Sequence, residues 1–318
     1  MCCLYGLMDR SHHFNAKERS IMLNHLARAS EARGTDATGI AYNTRNRMRV
    51  YKRPMAAHKL RLRIPEDATT VIGHTRLTTQ GNEKINYNNH PWRSTLCKSP
   101  FALAHNGVLH NDTWLRKSLQ LPKTKIETDS YIAVQLIEQK RALSFDSLKY
   151  MAEQLEGSFA FSILDGQGRI YLVKGDNPIC LYYFPAYDIY VYASTQAILT
   201  DALVSMPYYM GKYEEIKLTC GDILLLSPDA EPEKQTFNTT YFDVNYWTRY
   251  YPPAGYYRGL SSQPTYTFDD YEEEYMEDLK MVAGAYGYSP DSIDELFRWG
   301  YSPEEIEDML YCCGIGEI

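Results

Sequence analysis

The sequence predicts an α+β protein built on antiparallel sheet, and three observations carry that prediction. Short apolar runs are mixed with helical segments up to about residue 228. Several of the runs follow one another through short Gly or Asp turns. One pair, 159–164 and 170–173, is joined by Asp165-Gly166-Gln167-Gly168-Arg169, which reads as a hairpin. Successive hairpins favour α+β over a doubly wound parallel sheet.

In chain order, helical periodicity fits 17–32, strand-like runs occupy 71–74 and 101–104, and a second helix fits 129–142. Strand-like runs at 159–164, 170–173 and 189–193 follow, then a helix at 195–204 and a strand at 223–226. Beyond residue 228 the composition turns to Tyr, Pro and acidic residues, so the boundary is placed there, dividing the chain into 2–228 and 229–318. The stretch 239–271 suits an extended strap lying on another surface. Near the C-terminus Gly287-Tyr288-Ser289-Pro290-Asp291-Ser292-Ile293-Asp294-Glu295-Leu296 recurs as Gly300-Tyr301-Ser302-Pro303-Glu304-Glu305-Ile306-Glu307-Asp308-Met309. In each copy Ser suits the N-cap, Pro the first helical position, and the acidic residues the positive end of the helix. Two short helices are expected, as a hairpin packed on the first domain or as a docking surface for a partner.

The formal net charge of −7 over 318 residues argues against nucleic acid or an anionic membrane as partner, since either calls for a basic face. Seven cysteines, at 2, 3, 97, 180, 220, 312 and 313, form no regular framework and suit a reducing cytoplasm. The start of the chain lacks the pattern of a secretory signal, and no segment approaches the roughly 18 consecutive apolar residues of a membrane span. A soluble, cytoplasmic protein is expected. His12-His13 and Cys312-Cys313 lack the spacing of a zinc site, and Gly166-Gln167-Gly168 is not followed by the helix of a phosphate loop, so no metal or cofactor is expected.

Cys2 follows the initiator Met1 and becomes N-terminal when Met1 is trimmed. One residue then supplies a thiol nucleophile and an α-amine of pKa about 7.7–8.0 that accepts its proton. Alone, a Cys at position 2 is most simply an accident. Its context is an ordered series: Cys2-Cys3-Leu4-Tyr5-Gly6, Arg33-Gly34-Thr35-Asp36-Ala37-Thr38-Gly39, Gly73-His74-Thr75-Arg76-Leu77-Thr78-Thr79-Gln80-Gly81, Asn89-His90-Pro91, Ala104-His105-Asn106-Gly107-Val108-Leu109-His110-Asn111, Thr128-Asp129-Ser130, Leu155-Glu156-Gly157-Ser158-Phe159-Ala160-Phe161 and Tyr192-Ala193-Ser194. Out of context Asn106-Gly107 is an ordinary hairpin turn, and Arg76 and Asp129 are surface charges.

In this order, over roughly residues 2–228, the motifs resemble the class II glutamine amidotransferase domain, the cysteine branch of the N-terminal-nucleophile hydrolases. The resemblance implies a four-layer α/β/β/α sandwich of two antiparallel sheets and release of ammonia from glutamine through a γ-glutamyl thioester on Cys2. It assigns the oxyanion donors to the Asn106 side chain and the Gly107 N–H, the substrate α-carboxylate to Arg76 and its α-ammonium to Asp129. Thr79 and Gln80 become pocket neighbours, and Arg33 helps order the closed site. The chain departs from the family in Cys3 for a common Gly, Leu77 for Trp and Gln80 for His. Three functions stay open: a glutaminase component serving a separate ammonia-accepting enzyme, a self-sufficient amidase on another γ-glutamyl or small amide, and a non-catalytic amino-acid-binding or scaffold protein.

Overall fold

The computed structural model describes residues 2–45, 47–94, 100–239 and 288–298, together with Met276, Leu279, Lys280, Ala283, Ile306 and Leu310. The chain forms two compact units, Met1–Phe242 and Asp243–Ile318.

In the first unit, β1 (Cys3–Asp9) is buried along its whole length. It pairs antiparallel with β4 (Thr70–Arg76) on one side and β10 (Ile189–Ala193) on the other. β2 (Ala37–Thr44), β3 (Arg47–Arg53), β9 (Cys180–Phe184) and β11 (Glu214–Glu215) complete a seven-stranded sheet in the order β11-β9-β10-β1-β4-β2-β3. The second sheet has six strands. It comprises β5 (Trp92–Arg93), β6 (Phe101–Leu109), β7 (Gly157–Asp165), β8 (Ile170–Lys174), β12 (Asp222–Leu226) and β13 (Glu233–Thr236), in the order β13-β12-β8-β7-β6-β5.

Strand alternation sorts side chains into three apolar layers. Leu4 and Met8 face inward between the sheets, against Ile72, Ala102, Ala104, Leu164, Leu172 and Leu224. Tyr5 and Leu7 face outward against Met22, Leu23 and Leu26 of α1 (Ala16–Ala29) and Leu199 of α5 (Gln196–Ser205). Phe159, Phe161 and Ile163 face the other way, against α3 (Tyr131–Gln139) and α4 (Phe145–Gln154). A short α2 (Asp112–Ser118) precedes α3. Two antiparallel sheets between helical layers are the expected α/β/β/α sandwich.

Local chemistry explains the element ends. Asn15 accepts from the Lys17 and Glu18 amides, and Glu18 returns a bond to the Asn15 amide, so α1 opens on a capping box. Asp165 Oδ1 accepts from the Gln167 and Arg169 amides, closing the β7–β8 hairpin anticipated from its turn residues. The helix expected over 17–32 ends at Ala29 and tightens into a 3-10 turn, Ser30–Arg33. Sheet pairing continues past residue 228, since β13 pairs with β12.

In the second unit α6 (Pro290–Arg298) starts where the first repeat copy places it, with Ser289 Oγ accepting from the Asp291 amide at 3.3 Å. Ile293 and Leu296 of α6 are buried in one cluster with Met276, Leu279, Ala283, Ile306 and Leu310. The strap expected over 239–271 is described only at residue 239; it, Cys97, Cys312-Cys313 and the second repeat copy, save Ile306, lie outside the described residues. Among the described residues no helix is long and apolar enough to cross a membrane.

Candidate active site

Antiparallel register builds the site. Cys3 on β1 pairs with Thr75 on β4, so Cys2, one step before the strand, stands beside the strand end that carries Arg76. The half-buried Cys2 thiol donates to the Leu77 carbonyl at 3.4 Å, and Arg33 Nε donates to the Cys2 carbonyl at 3.1 Å. Arg33 thus holds the main chain of the nucleophile candidate. The motif that contains it also holds the loop after β4: Asp36 N donates to the Arg76 carbonyl at 2.9 Å and Asp36 Oδ2 accepts from Thr78 N at 2.7 Å. Gly34 is needed for this approach, because a Cβ there would lie 2.4 Å from the Arg76 carbonyl carbon.

Arg76 is buried, and its guanidinium is aimed by three acceptors. Nη1 donates to Asn89 Oδ1 at 2.7 Å, and Nη2 donates to the carbonyls of Gln80 at 2.5 Å and Gly81 at 3.5 Å. With five N–H donors, a guanidinium so held keeps capacity for a carboxylate. Asp129, also buried, accepts from Leu109 N at 2.6 Å and from Ser130 Oγ at 3.1 Å. Gln80 Oε1 accepts from Asp129 N at 3.2 Å, so Gln80 links the Arg76 and Asp129 segments. Thr79 is exposed at the edge of the same loop. Burial raises the pKa of the Cys2 thiol; the N-terminal charge, the Leu77 hydrogen bond and Arg76 pull it down, and Asp129 raises it. Cys2, Arg76 and Asp129 therefore share one electrostatic neighbourhood.

Asn106 and Gly107 come from β6 of the second sheet. Asn106 is fully buried; its Nδ2 reaches Ser194 Oγ at 3.5 Å, and among the described residues its Oδ1 has no partner. Ser194 Oγ also accepts from Leu4 N at 2.9 Å, tying Asn106 to the strand that follows Cys2. Asn177 Nδ2 donates to the Asn106 carbonyl at 3.1 Å. Gly107 has φ +140°, and a Cβ there would lie 2.0 Å from the Ser158 carbonyl oxygen, so this position requires glycine. Ser194 was visible in the sequence only as part of an Ala-Ser turn, and Asn177 carried no local signal. Among the described residues no group of three His, Cys, Asp or Glu could hold a metal ion.

A family model described as a glutamine amidotransferase domain matches residues 74–201. The glutamine–fructose-6-phosphate aminotransferase (isomerizing) of Bacillus cereus is 36% identical over 188 residues, covering 56% of this chain and 30% of the relative. The enzyme of the same name from Staphylococcus epidermidis is 31% identical over 225 residues, covering 68% of this chain and 34% of the relative. The chain thus spans about a third of the length of these curated relatives. In fold it resembles the glutamine phosphoribosylpyrophosphate amidotransferase of B. subtilis, with a TM-score of 0.58 and 21% identity over 74% of this chain and 49% of that one. An allosteric regulatory enzyme of purine biosynthesis gives the same TM-score of 0.58 at 19% identity, over 89% of this chain and 58% of that one.

Proposed function

We infer, from this chain's membership of the glutamine amidotransferase domain family, that it releases ammonia from the glutamine side-chain amide with Cys2 as nucleophile. The observation that carries the reading is that the β1–β4 register brings Cys2 beside Arg76, with Asp129 close enough to act on the same thiol. Burial keeps the thiol protonated near neutral pH, so attack needs a base. The α-amine of Cys2, freed when Met1 is removed, takes the thiol proton as Sγ attacks the amide carbon. The tetrahedral oxyanion accepts from the Asn106 side-chain amide and the Gly107 N–H. Collapse breaks the C–N bond, the α-ammonium returns its proton to the leaving nitrogen, and ammonia departs. Water then attacks the thioester and releases glutamate.

Arg76 binds the substrate α-carboxylate and Asp129 its α-ammonium. Gln80 and Thr79 form the pocket edge, while Arg33 orders the nucleophile through its carbonyl. In this reading the ammonia acceptor is a separate enzyme, and the free thiols of Cys2, Cys3 and Cys180 suit the cytoplasm. Gln80 and Leu77, standing where many members of the family have His and Trp, favour a second reading in which another γ-glutamyl amide is the substrate. A γ-diazoketone analogue of glutamine tests the site: its label is expected on the N-terminal Cys2 peptide, with glutamine protecting. Labelling elsewhere, or none on protein lacking Met1, would refute the assignment.

A further inference from the structure

We propose that the groove over β3, β5 and the segment before α3 is a second ligand site, built for a phosphate-bearing small molecule and connected to the Arg76 pocket through Asn89. It goes beyond the glutamine reading, and its binding arm stands whether or not that reading holds.

The groove is open to solvent and offers a volume of about 590 Å³, within the roughly 300–1,000 Å³ range of small-molecule pockets. Its walls present Lys52, Arg53, Arg93, Lys123 and Lys125, and among the described residues no Asp or Glu lines it. In a chain of net charge −7, five basic side chains around one cavity are a local reversal of sign. Like charges gathered without counter-charges are costly in the free protein, and an anion relieves that cost. Among the described residues Arg53, Arg93, Lys123 and Lys125 form no ion pair. Arginine forks with lysine point charges are the donor set that suits phosphate oxygens. Tyr87 adds an aromatic wall, with Lys125 Nζ 4.8 Å from its ring centroid.

The floor of the groove leads to the other pocket. Lys52 Nζ donates to the carbonyls of Asn89 and of Pro91, and the Asn89 side chain accepts from Arg76. Burial and the nearby Arg76 charge bring Lys52 down to about 7, so an anion in the groove favours its charged form. A phosphate that draws on Lys52 changes the hold on residue 89, and with it the aim of the guanidinium assigned to the glutamine carboxylate.

Calorimetry of the full chain with inorganic pyrophosphate, inorganic triphosphate and ATP tests the site. We expect saturable binding that weakens by about tenfold or more in Lys123→Glu/Lys125→Glu, whose thermal unfolding and glutamine turnover without phosphate stay as in wild type. ATP binding more tightly than triphosphate would assign the Tyr87 wall to a base; equal affinity would assign recognition to the phosphates alone. A change in KM for glutamine on adding the phosphate ligand, absent from the double variant, would establish the link through Asn89. No saturable binding of any of the three, equal binding by the variant, or binding only of an acidic peptide would overturn the proposal.

Discussion

His74 Nε2 lies 2.9 Å from the main-chain oxygen of His105, and this contact joins the two sheets at the candidate site. His74 sits two residues before Arg76 on β4, and His105 immediately precedes Asn106 on β6. A carbonyl only accepts, so Nε2 carries the proton, and burial holds the His74 pKa well below its ordinary value, keeping the ring neutral. Removing the donor leaves a buried carbonyl unsatisfied. His74→Ala is expected to lose roughly 1–3 kcal/mol in urea unfolding at neutral pH and to slow glutamine turnover. Unchanged stability and rate would show that the contact does not align the sheets.

Mild acid should weaken the fold through its buried histidines. Burial lowers His74, His90 and His105, bringing His105 to about 4 against the opposing pull of Asp129. The ordinary imidazole value is about 6.5, so as pH falls the unfolded chain takes up protons first. Stability is full above about 6.5 and declines from there towards 4, by up to roughly 1.4 kcal/mol per pH unit for each histidine. Urea midpoints taken from pH 7.5 to 5 should fall steadily below 6.5. A flat profile would mean these rings are not buried neutral.

Asn106→Ala should lower kcat for glutamine by roughly 100- to 1,000-fold, the usual effect of losing one oxyanion donor. KM should change much less, because the interaction is made in the transition state. Steady-state kinetics separate the two. A variant raised only in KM would place Asn106 in substrate binding.

Gly107→Ala forces a side chain into a backbone with φ +140° and within 2.0 Å of the Ser158 oxygen. Loss of at least about 1 kcal/mol in chemical denaturation is expected, together with loss of turnover as the N–H turns away. Wild-type stability in this variant would contradict the geometry.

Much of the helical framework was legible because α1, α3 and α5 each carry helical periodicity, and the β7–β8 hairpin because Asp165 and Gly168 are turn residues three positions apart. β1 escaped notice: its residues are buried on both faces, so the apolar-polar alternation that marks a half-exposed strand is missing. Sheet order is a long-range property. The same holds for Ser194, which meets Leu4 from 190 positions away, and for Asn177, which meets Asn106 from 71. The Cys2, Arg76, Asn106 and Asp129 segments were readable because each is a compact local motif. Lys52 was not, since the β3 sequence Arg47-Met48-Arg49-Val50-Tyr51-Lys52-Arg53 reads as a basic surface strand and only the packed segment 89–91 reveals its burial.

The proposed amide hydrolysis rests on a thiol and an amine of one N-terminal residue, Cys2. Intact mass and glutamine-dependent ammonia release, measured on the same preparations of wild type and Cys2→Ala, test it most directly. Met1 should be absent from the active wild-type protein, and ammonia release should disappear in Cys2→Ala while the fold persists. Wild-type ammonia release by folded Cys2→Ala, or full activity with Met1 still attached, would contradict it.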